Sequence, residues 1–236
     1  AVLTSATLKS LGNFNTLQRE TGVPSSAHFL SVAGAFNYAE AATVRVPPGA
    51  VEGNSIEEHS KYIVDNLESM VEDKAGTLVL FSSKRQMEQV FDELPNHLAK
   101  IILIQGQYSN REMVRLHKER IDQGKTSVLL GLASFAEGVD LPGDYCKHVV
   151  IAKLPFAVPD DPLHEALSEW IEGKGGNSFF DISLPIASLR LIQACGRLLR
   201  TESDTGTVSI LDKRLITKRY GTQLLDALPP FRRELG

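Results

Sequence analysis

Three short segments of this sequence carry residue types suited to handling a polyanion. In Gln193-Ala194-Cys195-Gly196-Arg197-Leu198-Leu199-Arg200, two arginines stand three apart, with Gln193 one helical turn ahead of Arg197. On a helix they would share a face. Guanidinium groups keep their charge and fork around phosphate oxygens, so the pair suits the negative charge that spreads in phosphoryl transfer. Two solvated surface arginines are the alternative. The second segment runs from Gly131 to Gly143 and holds Ser134, Glu137, Gly138 and Asp140. An Asp at the carboxyl edge of a strand can bond a ribose hydroxyl, although an ordinary strand-to-helix loop has the same composition. The third, Phe81-Ser82-Ser83-Lys84, places hydroxyls where a strand gives way to a helix. There they either cradle a phosphate with the helix N–H groups or cap the helix.

Metal chemistry finds no support. The six histidines are scattered, and His59 beside Glu57 and Glu58, or His164 beside Glu165, reads as helix surface rather than a ligand pair. Two cysteines, Cys146 and Cys195, cannot form a disulfide framework or a four-cysteine metal site, and Cys195 reads as a packed thiol.

A regular alternation of elements must position these segments. Short unbroken apolar runs at 77–81, 101–104, 127–130, 148–152 and 207–211 read as buried strands. Between them fall helical patterns at 56–71, 84–94, 111–122, 161–172 and 186–200. Such alternation predicts an α/β fold, open and doubly wound, whose mainly parallel sheet carries helices on both faces. In that architecture ligands bind outside the carboxyl ends of the strands. Residues 1–40 read as a connector, broken at Gly12, Gly22, Pro24 and Gly34, and 41–236 as the domain proper.

Of the 236 residues, 25 are basic and 29 acidic, a net charge of −4 that gives no global signature of nucleic-acid binding. Locally, basic residues from Arg197 to Arg219 outnumber acidic ones, while Asp160 to Glu172 is acidic and reads as a solvated helix face. No apolar run approaches the roughly 20 residues that span a bilayer, so no membrane is expected, and the cysteine usage fits a cytoplasmic protein. The opening Ala1-Val2-Leu3-Thr4-Ser5-Ala6-Thr7 lacks both an initiator Met and the pattern of a signal peptide, and suggests a piece of a longer protein.

Taken in order, Leu3–Leu8, Leu80–Ser83, Ser134–Asp140 and Gln193–Arg200 resemble motifs III, IV, V and VI of superfamily 2 helicases, in the XPD branch. The Ser134-Phe-Ala-Glu-Gly138 segment and the tail from Leu211 to Gly221 resemble the DinG type most. The resemblance implies a RecA-like second motor domain of a 5′-to-3′ DNA helicase driven by ATP and Mg²⁺. It implies arginines on the γ-phosphate at Arg197 and Arg200, and nucleotide contacts at Gln193, Gly196, Glu137, Gly138 and Asp140. It further implies single-stranded DNA contacts at Ser82, Ser83 and Ser134, coupling residues at Thr4, Ser5 and Thr7, and an iron–sulfur cluster only in the other half of the protein. The sequence holds no Gly-x-x-x-x-Gly-Lys-Ser/Thr loop and no Asp-Glu-Ala-His box. The expected partner is therefore a first motor domain of the same protein, without which the fragment would be inactive. A non-catalytic nucleic-acid-binding or protein-docking domain of the same fold is the other reading.

Overall fold

In the computed structural model, which describes residues 1–157 and 162–236 and all their side chains except those of Ala136 and Glu137, seven strands form one sheet. They are β1 (Ala42–Val46), β2 (Gly76–Phe81), β3 (Ile102–Ile104), β4 (Ser127–Leu132), β5 (His148–Ile151), β6 (Gly206–Ile210) and β7 (Arg232–Leu235). Their order is β3-β4-β2-β5-β6-β1-β7, and every pairing is parallel.

The apolar runs are unbroken because both faces of the sheet are covered. In β2, Leu78 and Leu80 point into one core while Val79 and Phe81 point into the other. Strand β4 divides the same way, Leu129 against Val128 and Leu130. The first face is covered by helices Asn110–Asp122, Leu184–Cys195 and Arg219–Ala227, through Met113, Leu191 and Leu224. The second is covered by helices Ile56–Leu67 and Lys84–Glu93, through Ile63, Leu67, Met87 and Val90. Serine hydroxyls begin three of these helices by accepting an N–H three residues on: Ser55 from Glu58, Ser83 from Gln86 and Ser109 from Glu112.

The structure departs from the sequence reading in four places. Helix Leu184–Cys195 stops at Cys195 rather than continuing to Arg200, because Gly196 takes over as its C-cap and the chain turns. Arg197 and Arg200 therefore do not share a helix face. Helix Ile56–Leu67 gives way to a 3₁₀ turn at Glu68–Met70 before the expected end at 71. Strand β7 was not expected, since Arg232-Arg-Glu-Leu235 is exposed throughout and lacks the apolar run of the inner strands. His59 is not helix surface. It is fully buried, its Nε2–H donating to Leu211 O at 2.9 Å while Nδ1 accepts from Gln86 Nε2 at 2.8 Å.

In the connector, helix Asn15–Thr21 is joined to the body by Arg19 Nη1, which donates to Asp181 O, and the Tyr38 ring packs edge-on against Phe231 at 5.7 Å. In the acidic helix Pro162–Gly173, Glu165, Glu169 and Glu172 are exposed, as a solvated face requires; Asp160 and Asp161 lie outside the described residues. No helix among the described residues is long and apolar enough to cross a membrane.

Candidate functional site

The connection after β2 leaves towards the second face, carrying Met87 and Val90, whereas the one after β4 leaves towards the first, carrying Phe135. Opposite departures from neighbouring strands open a crevice at their carboxyl ends. A cleft with about 880 Å³ of empty space lies there, lined by Ser82 after β2, Ser134 after β4, Phe156 after β5, and Arg190, Gln193 and Arg197 from the helix opposite and the turn that follows it. Three of the segments singled out from the sequence thus meet at one sheet edge.

The wall after β4 depends on Gly131. A Cβ there would lie 2.5 Å from Phe135 Cδ1, so only glycine lets the buried Phe135 ring fold back under the strand. That fold-back turns the chain into the short helix Ala133–Glu137 and brings Ser134 to the surface. The Glu137 side chain lies outside the described residues. Gly138 follows, exposed, its N–H donating to Phe135 O at 3.3 Å.

The arginine segment is held by two aspartates. Arg200 Nε donates to Asp140 Oδ1 at 2.8 Å, and its backbone N–H to Asp204 Oδ2 at 2.7 Å. Asp204 is buried and also accepts from Thr201 N, Thr201 Oγ1 and Gly143 N. Burial alone would raise its carboxyl pKa, but the bonds from Thr201, Arg200 and Gly143 outweigh it and hold the group below the ordinary carboxylate range. Asp204 thereby staples the turn after Cys195 to the loop after β4. Sequence reading passed over it, for an Asp in a polar turn carries no motif signal. Arg197 Nη1 donates to Val139 O at 3.2 Å in the same loop. Gly196 is exposed, and a Cβ on it would meet nothing closer than Ile192 O at 3.3 Å.

The two serines after β2 separate. Ser83 is the cap of helix Lys84–Glu93, whereas Ser82 is exposed on the cleft. From the connector, Thr7 reaches the site: its hydroxyl accepts from Gln193 Nε2 at 3.3 Å, and its N–H donates to Ser5 Oγ at 3.3 Å. Thr4 is exposed. Arg190, which sequence reading also passed over, carries no distinguishing signal on its apolar helix; its Nη1 is 3.5 Å from Pro155 O. Cys146 and Cys195 are buried, and desolvation pushes both thiols up to about 12, so neither supplies a thiolate to a metal or cluster.

Residues 67–231 match the family model described as helicase C-terminal domain. The chain belongs to the helicase C-terminal domain family. It is of the DinG and XPD kind. Over 239 residues it is 44% identical to the ATP-dependent DNA helicase DinG of Photobacterium profundum, covering 99% of this chain and 34% of that protein. It is 40% identical over 236 residues to the protein of the same name from Escherichia coli K12, covering 98% of this chain and 33% of that one. The domain thus spans about a third of the length of these relatives. In fold it is similar to an XPD helicase of known structure, with a TM-score of 0.61 at 20% identity over 83% of this chain and 36% of that one. The S. tokodaii protein Xpd4 aligns with a TM-score of 0.58 at 17% identity, over 91% of this chain and 42% of the other. At such identities the likeness establishes the RecA-like α/β fold.

Proposed function

We propose that this helicase C-terminal domain is the second motor half of an ATP-dependent DNA helicase. In this reading residues 1–40 are the end of a first motor domain and a linker, residues 41–236 are the second motor domain, and Mg²⁺–ATP binds between the two. Arg197 and Arg200 act as fingers on the γ-phosphate, with Gln193, Gly196, Glu137, Gly138 and Asp140 around the nucleotide. Single-stranded DNA runs over Ser82, Ser83 and Ser134, and Thr4, Ser5 and Thr7 couple the two halves. The 5′-to-3′ polarity, the cytoplasmic setting and an iron–sulfur cluster in the first half come from the resemblance to XPD-type enzymes. No cluster ligand is to be sought in this chain, whose two thiols are buried.

One observation carries the reading: Ser82, Ser134, Gln193 and Arg197 line a single cleft at the carboxyl edge of the sheet, with Thr7 bonded to Gln193. Hydroxyls on one side and guanidinium groups on the other give a phosphate chain and a phosphoryl group separate partners. The phosphoryl-transfer transition state spreads negative charge over three oxygens, and an arginine finger is worth on the order of 10³–10⁵ in turnover. In the protein with both motor halves, Arg197→Ala and Arg200→Ala should therefore lower kcat for ATP by orders of magnitude with a much smaller change in nucleotide affinity. Steady-state ATPase assays test this. Near-wild-type turnover in both variants would leave a DNA-binding or docking domain.

A further inference from the structure

The wall of the cleft after β5 is an aromatic ring, Phe156, that the rest of the molecule holds in place. Phe179 lies against it at 5.5 Å, Tyr220 meets it edge-on at 5.6 Å, and the Arg214 guanidinium sits 5.7 Å from its centroid. Arg214 is itself fixed by Asp212, which has no solvent exposure, through Nε to Oδ1 at 2.9 Å and Nη2 to Oδ2 at 2.6 Å. The same Asp212 accepts from Leu154 N at 3.1 Å and so anchors the segment that carries the ring. A buried ion pair that breaks when either partner is lost is an expensive support for a ring that only fills space. It is an effective one for a surface that must stay flat and oriented.

Around the cleft the remaining groups sort by chemistry. Ser82 and Ser134 offer hydroxyls, and Arg190 an exposed guanidinium with no carboxylate partner among the described residues. Phe156 is the one aromatic ring among the cleft's rim groups named here, and it faces the space those polar groups border. A hydroxyl-and-cation rim beside a fixed ring matches a nucleotide unit, with phosphate at the rim and base on the ring.

We propose that this cleft seats one base of single-stranded DNA, stacked on Phe156, with Arg190 on an adjacent phosphate. The inference rests on the proposed DNA face and adds to it a base-reading pocket, a positioning role for the Asp212–Arg214 pair, and a cation on the track. Stacking tolerates any base, since each has a π-face, so the pocket would register a step along the strand without reading sequence.

The test measures fluorescence anisotropy of a labelled oligodeoxynucleotide, and of the same backbone made abasic, on the 236-residue chain. The wild-type chain should prefer the base-bearing strand by on the order of 10-fold. Phe156→Ala and Phe156→Leu should remove that preference and leave affinity for the abasic strand unchanged, and Phe156→Tyr should restore it. Should the Ala variant fail to fold, Leu keeps the bulk and carries the test. Arg190→Ala should weaken both strands equally and lower the salt dependence by about one phosphate contact. A preference that survives Phe156→Leu overturns the pocket while leaving the DNA face intact. Displacement of the strand by free dAMP at the concentration that saturates the pocket would assign it to a mononucleotide and overturn it too. Failure of the wild-type chain to bind either strand removes the DNA face itself, and the pocket with it.

Discussion

Arg200 Nε lies 2.8 Å from Asp140 Oδ1, so a proposed finger and a proposed nucleotide contact are bonded to each other. The Asp140 side chain is largely exposed, at 70%, against 34% for Arg200, and so exposed a pair contributes little to stability. Its consequence is geometric. A γ-phosphate arriving at Arg200 must compete with Asp140 for the guanidinium. In the two-domain protein, Asp140→Asn should therefore change the nucleotide concentration at half-maximal turnover by several-fold, while its thermal melting stays within about a degree or two of wild type. A collapse of the melting temperature would show the pair to be structural.

Asp204 behaves differently. Its carboxylate accepts four hydrogen bonds while buried, so Asp204→Ala strands the N–H groups of Arg200, Thr201 and Gly143. The expected loss is about 2–4 kcal/mol, measured by urea denaturation. ATPase in the two-domain protein should fall with it, because the turn that aims Arg200 is no longer tied down. Stability within 0.5 kcal/mol of wild type would contradict the staple.

Acid should destabilise the fold in a defined window. His117 and His148 are buried, and desolvation pulls each imidazole from 6.5 down to about 4. His117 Nε2–H donates to Tyr145 O while Nδ1 faces Ser127 Oγ; His148 meets Ser209 Oγ, with half-exposed Glu72 at 3.5 Å and Arg45 opposing its charge. The unfolded chain protonates these groups near 6.5 and the folded one near 4, so stability is full above 6.5 and drains as the pH falls towards 4. Each histidine accounts for about 3 kcal/mol across that window. Urea midpoints at pH 7.5, 6 and 5 should decline, with the slope steepest near pH 5. A flat profile would mean both imidazoles are charged or solvated in the fold.

Gly131→Ala should cost about 1–3 kcal/mol, because the added methyl drives into the Phe135 ring. It should also displace Ser134 and weaken single-stranded DNA binding. Chemical denaturation and anisotropy together check both halves of the expectation; unchanged stability would mean that the ring moves freely aside.

The 236-residue chain alone should show no DNA-stimulated ATPase, since it contains no phosphate-binding loop lysine. Malachite-green assays with and without single-stranded DNA suffice, and appreciable turnover would end the half-motor reading.

Five strands and the fold class were legible because a doubly covered parallel strand must be apolar at every position, as Leu78-Val79-Leu80-Phe81 is. β7 was not, because an outermost strand needs only backbone pairing, and Arg232-Arg-Glu-Leu235 supplies it to β1 with all four side chains in solvent. Helix Leu184–Cys195 was overrun because Leu198 and Leu199 keep the apolar period after the helix has ended; both are buried in a turn. The cleft's serines and arginines were legible as motifs. Asp204 and Phe156 were not, since their significance lies in partners more than a loop away.

Strand β1, first in the chain, lies sixth across the sheet between β6 and β7, and Arg45 Nε reaches Ser209 Oγ across 164 residues. On a ribosome adding about 5–20 residues per second, that interval is about 8–30 s. For all that time Val44 and Val46 have left the exit tunnel and their hydrogen-bonding neighbours have not yet been made. Nascent chains stalled before Gly206 would present an unmatched apolar ribbon, and the quality-control machinery would meet this protein first at its amino end.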